Sequence, residues 1–156
     1  MISISEFALY IGFPCMIFDS TDKAVGTPAT IEGVDIVANK VICERANFDP
    51  SVVKPILRLI RDMKKNEAIE VLKRIIHPEV TYPETDYSFD VYSNSILITI
   101  ENDWFNEALR IGYMGSIWII TPSNIKVPTS VHLYLLSCRF DVLGLISKGL
   151  ALEESK

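Results

Sequence analysis

The sequence predicts an α+β fold, with residues 1–156 forming a single domain in which an antiparallel sheet packs with a few helices. Two stretches of short apolar runs broken by polar turn residues, 15–44 and 86–121, predict the strands. A helix-period stripe between them and a helical last third predict the rest. Apolar residues make up 49% of the chain and charged residues 22%, a globular composition long enough to bury a core.

Ser3 or Ser5 can cap a short opening helix whose Phe7, Leu9 and Ile11 offer apolar contacts up to Gly12. "CMIFD" then reads as a strand, "STDK" as its turn, and "VGTPATI" as a returning segment interrupted by Gly26 and Pro28. Pro28 predicts an edge or irregular strand there. "VDIVA" and "VICE" read as two more short strands separated by Asn39-Lys40. "NFDPSVVKPILRLIRDM" carries two prolines and predicts an ordered connection with little regular structure.

"KKNEAIEVLKRII" is the clearest helix, an amphipathic one in the middle of the chain. Ala68, Val71, Leu72 and Ile75 fall at i, i+3, i+4 and i+7, Glu70 and Arg74 form an i,i+4 pair, and His77-Pro78 stops it. A central meander follows: Phe89 and Val91 alternate with polar residues, "SNS" turns the chain, and Ile96, Ile98 and Ile100 line one face. "ALRIGYM" and "SIWII" complete it, with a short helix from Asn102 or Asp103 as the alternative at "NDWFNEALRI". Two C-terminal helices close the chain. Thr129 or Ser130 caps "VHLYLLSC", apolar nearly all round and therefore buried. Asp141 caps "VLGLISK", and Gly149 supplies the left-handed residue past its end with Leu150 folding back.

Charge and chemistry narrow the function. The net charge is −5, against the basic face from which a nucleic-acid binder draws its affinity. The densest basic group is Lys54, Arg58, Arg61, Lys64, Lys65, Lys73 and Arg74, interleaved with Asp62, Glu67 and Glu70; its first five members are the nucleic-acid patch of an alternative reading. Cys15, Cys43 and Cys138 are an odd number without a Cys-x-x-Cys spacing, and each sits among apolar neighbours, which fits buried thiols in a reducing cytoplasm. No basic segment precedes the first apolar residues, and no apolar run approaches a membrane helix, so neither a signal peptide nor a membrane span is expected.

His77 and His132 lack the close-spaced partners of a zinc signature, and no Gly-x-Ser-x-Gly or phosphate-binding glycine loop is present. The acidic pairs Asp19/Asp22, Glu84/Asp86 and Glu101/Asp103 sit in predicted turns, where local hydrogen bonding explains them. No catalytic, cofactor or metal residue is therefore assigned. Trp104 and Phe105, at a predicted loop tip, form the candidate partner-binding pair, because exposed aromatic residues are enriched in interfaces. The positive mean hydropathy points the same way, to a partner protein or a second copy covering apolar surface.

Two stretches, "KPILRLIRDM" and "YLLSCRFDVLGLISKGLALEE", resemble a family of small phage and prophage proteins of Bacteroides-type gut anaerobes. That family runs Pro-Ile-Leu-Arg-Pro-Leu-Ser-Asp-Met before a Thr-Glu-Glu-rich helix start, and Gly-Phe-Asp-Leu-Phe-Gly-Leu-Ile before a closing Gly-Leu-Ala. The matches cover about a third of the chain. Leu59 stands for a proline, Lys64 or Lys65 for a threonine cap, Arg139 for a glycine and Leu143 for a phenylalanine. The resemblance implies a mobile-element origin and a host-cytoplasm setting, and brings no activity, cofactor or site residue with it. The expectation is a non-enzymatic protein-interaction module. An accessory nucleic-acid-associated factor is the alternative, and an enzyme without a readable motif comes third.

Overall fold

The structure, a computed structural model, describes residues 1–19, 21–75, 83, 86–93, 95–101, 106–112, 117–121 and 127–155, with backbone alone at 106 and 117–121. Among the described residues it has mixed α+β content, with antiparallel sheets and three α-helices. The chain divides into two compact units, Met1–Arg58 with Leu145–Lys156, and Leu59–Gly144.

In the first unit α1 (Ile4–Phe7) starts at Ser3, whose hydroxyl accepts from the Glu6 N–H while the Glu6 carboxylate accepts from the Ser3 N–H at 2.7 Å, a reciprocal capping box. A 3-10 turn, Ala8–Tyr10, continues it. Phe7 and Tyr10 are buried, whereas the expected Leu9 and Ile11 are exposed. The spacing explains this correction: a helical turn aligns residues three or four apart, not two. Tyr10 packs edge-on against Phe13, with ring centroids 5.6 Å apart.

The first unit's sheet has six strands: β1 (Pro14–Ile17), β2 (Ala29–Asp35), β3 (Lys40–Cys43), β4 (Ala46–Phe48), β5 (Val53–Leu57) and β10 (Leu152–Glu153). Their order is β10-β5-β1-β2-β3-β4, antiparallel except for the β10–β5 pair. Phe7, Cys15, Ile31, Val41, Cys43 and Leu57 are among its fully buried residues.

Three expectations are corrected here. "VDIVA" is not a strand of its own: Val34 and Asp35 end β2, and residues 36–39 are a turn. β2 is interior rather than an edge, since it begins one residue after Pro28 and loses no ladder bond to it, while its pairing with β3 is irregular between Ile31 and Gly33. Finally, the connection expected at 47–63 contains part of β4 and all of β5, the latter lying between β1 and β10. Pro55 is tolerated there for a geometric reason. The Phe18 N–H donates to the Val52 carbonyl at 2.8 Å, and alternation down the register makes Cys15–Pro55 a pair without ladder bonds. The missing Pro55 donor thus faces the β10 side, where pairing starts one residue later at Ile56.

In the second unit β6 (Tyr87–Val91), β7 (Ser95–Glu101), β8 (Asn106–Gly112) and β9 (Ile117–Thr121) form an antiparallel meander in chain order. Residues 106–112 are strand, so the helix alternative does not hold there. Ile96, Ile98 and Ile100 point into a core shared with α2 (Lys65–Ile75) and α3 (Thr129–Ser137). From α2, Ala68, Ile69, Val71, Leu72 and Ile75 are buried. The Lys64 N–H donates to Glu67 Oε2 at 2.8 Å, so the glutamate closes the helix start without a Ser or Thr cap.

Helix α3 buries Val131 and Leu135 but leaves His132 and Leu133 exposed, so it packs along one face rather than all round. The second C-terminal helix is absent: residues 142–149 form turns. Gly144 takes a φ of +64°, which a continuous right-handed helix through 142–148 does not accommodate. Asp141 is buried beside Phe140 and heads a turn instead of a helix. The ending is as expected, with Gly149 at φ +69°. Leu150 N–H reaches Leu145 O at 2.9 Å and Gly149 N–H reaches Ile146 O at 3.0 Å, the paired bonds of a Schellman motif.

Candidate functional site

Trp104, Phe105 and His77 lie outside the described residues. The basic group is divided between the units: Lys54 and Arg58 belong to the first, Arg61, Lys64 and Lys65 to the second. The ammonium of Lys54 sits 4.9 Å from the Phe18 ring centroid, and Lys64 and Lys65 are exposed at the head of α2.

Among the described residues the most exposed adjacent aliphatic pair is at the β2–β3 hairpin tip, with Ile36 at 68% and Val37 at 100% exposure. The backbone holds it out. Asp35 and Lys40 close the loop in register, Asp35 Oδ1 accepts from the Ala38 N–H at 2.9 Å, and Asn39 takes a left-handed φ of +53°. Lys40 also approaches Asp49 at 3.8 Å. That pair is half exposed and contributes little. Both aliphatic side chains are therefore displayed on an ordered turn, and covering each would release roughly 1.5–3 kcal/mol of apolar hydration cost.

A second exposed pair, Val91 and Tyr92, ends β6, with Tyr92 N–H bound to Ser95 O at 2.8 Å. There the Arg110 guanidinium lies 5.6 Å from the Tyr92 ring centroid and already covers one aromatic face. The β2–β3 tip is the more available of the two.

Two polar clusters go beyond the expected Glu70–Arg74 pair, which forms, and their long-range members were not legible in the sequence. Between α2 and α3, Arg74 pairs with Glu70 at 2.9 Å and stacks 4.5 Å from the Tyr134 ring centroid. Burial, followed by a hydrogen bond to Cys138, raises the Tyr134 hydroxyl above its ordinary pKa, so it stays protonated. In the first unit Cys15 and Cys43 are buried with their sulfurs 3.7 Å apart. Burial pushes Cys15 up to about 12 and also raises Cys43. Both remain thiols at neutral pH, the unreactive form. Among the described residues no three His, Cys, Asp or Glu side chains gather as a metal site, and no helix is long and apolar enough to cross a membrane.

No family model, curated protein or solved structure matches this chain. The spacing Asp35-x-x-x-Asn39 was the available signal for the hairpin tip: a side-chain acceptor opening the loop and a residue tolerant of positive φ closing it.

Proposed function

We propose that this chain is a non-enzymatic protein-interaction module, of phage or prophage origin, acting on a protein partner in the bacterial cytoplasm. The observation that supports it is the outward display of Ile36 and Val37 on an ordered hairpin tip. Apolar side chains held out by a hydrogen-bonded turn lose little conformational entropy when covered, which is what a docking anchor needs. The acidic balance and the resemblance of the two sequence blocks agree with a protein partner. Trp104 and Phe105 stay in the proposal as a second contact to be tested.

The test is a tagged pull-down from host cells with Ile36→Ser/Val37→Ser. The double variant should lose the captured partner while its thermal melt stays within about 2 °C, since substitutions at exposed positions change stability little. Undiminished capture would overturn the assignment of the tip. A melt that falls by much more would show that the tip supports the fold instead.

A further inference from the structure

We propose that the first unit carries a small-molecule site for a short-chain carboxylate, a free acid of roughly six to eight carbons. A cavity of ≈ 260 Å³ is lined by Met1, Ile2, Pro50, Ser51, Val53, Lys54 and Leu150. Its floor is apolar and firm, because Ile2, Pro50 and Val53 are buried. Its volume falls just below the ~300–1,000 Å³ of drug-sized ligand sites, so it suits a smaller ligand such as one short alkyl chain.

The charge at its edge selects the head group. Lys54 lines the cavity, and its ammonium is steadied over the Phe18 ring at 4.9 Å with no described carboxylate paired to it. The neighbouring acid, Asp49, is already engaged: it accepts from the Ser51 N–H at 3.0 Å and O–H at 2.7 Å and approaches Lys40 at 3.8 Å. An apolar slot with the Lys54 ammonium at its edge binds an alkyl carboxylate tail-in, with the carboxylate on Lys54. Sequence alone grouped Lys54 with the basic patch; the cavity gives it a different task.

Sodium octanoate is the probe, titrated into the whole chain below its micelle concentration and followed by amide chemical shifts. Saturable shifts are expected at Ile2, Ser51, Val53, Lys54 and Leu150. Affinity should rise about threefold to fourfold per methylene from butyrate onward, then level off by octanoate as the slot fills. Lys54→Ala should weaken octanoate binding about fivefold, the size of a partly exposed ion pair, with an otherwise unchanged spectrum. Lys54→Arg should retain binding, and neutral octanol should bind the natural protein about as weakly as octanoate binds the alanine variant. No saturable shifts at about 10 mM octanoate, shifts centred elsewhere, equal binding of octanol, or an unbroken climb with chain length would each overturn the proposal.

Discussion

Glu44 and Arg45 join β3 to β4 in two residues, between the paired Cys43 and Ala46, with φ values of +48° and +66°. A two-residue hairpin with both central residues left-handed is a type I′ turn, whose favoured sequence is Asn-Gly. An ordinary L-residue in that region costs roughly 1–2 kcal/mol. The turn tolerates two because the Arg45 N–H donates to Glu32 Oε2 at 2.7 Å, a bond from the backbone that any residue at 45 keeps. Both positions are exposed, and neither side chain makes a hydrogen bond or ion pair among the described residues.

Replacing Glu44→Asn and Arg45→Gly together should therefore relieve most of that cost. Glycine returns roughly 0.5–1 kcal/mol of it as extra freedom in the unfolded chain. The net gain is about 1–2 kcal/mol, or about 3–6 °C in the melt of a chain this size. Urea unfolding followed by circular dichroism measures it, with the slope unchanged and the midpoint raised. An unchanged or lowered midpoint would refute the reasoning, because it would mean that these side chains contribute what the left-handed backbone was said to cost.

Two further predictions concern titration. Asp19 Oδ1 accepts from the Thr21 N–H, the Thr21 hydroxyl and the Lys23 N–H, and the Thr21 hydroxyl leads in holding its pKa below the ordinary 3.8. A depressed folded pKa gives stability that is present above the unfolded value and lost as pH falls through the folded one. Acid titration of the melt below about pH 4 should thus be flatter in Asp19→Asn, which keeps the acceptor but not the charge; an identical acid limb would refute this. For the thiols, an aromatic disulfide reagent at mildly alkaline pH should modify the half-exposed Cys138 first, and Cys15 and Cys43 only after urea. Rapid native modification of more than one thiol would contradict the buried pair.

What was legible in the sequence followed from periodicity. Residues 96, 98 and 100 fall two apart and face the core, and the 68/71/72/75 spacing places four buried side chains on α2. What was illegible depended on partners distant in sequence. β5 contains Pro55 and reads as a break, yet it is acceptable because its donor-less side faces the start of a two-residue strand about a hundred positions away (Leu152–Glu153). Glu44-Arg45 carries no turn signal, and only the carboxylate of Glu32, on another strand, makes the hairpin tenable. Gly144 falls inside the helix that the sequence predicts at 142–148, since its positive φ is a property of the path and not of the residue.

The hairpin tip shows why a surface site is harder to read than a core. In "VDIVA" the β-branched residues give the same local signal whether the strand runs on or ends. The structure decides by one side-chain bond, Asp35 to the Ala38 N–H, which satisfies a backbone donor outside the ladder and lets the chain reverse. Once it reverses there, Ile36 and Val37 have nowhere within the turn to hide. Burial inside a strand would have cost nothing in sequence terms, so their exposure is a consequence of where the turn was placed. A carboxylate at 35 and a left-handed residue at 39 thus act on function through geometry: they keep two aliphatic side chains presented, which is the property that the proposed interface uses.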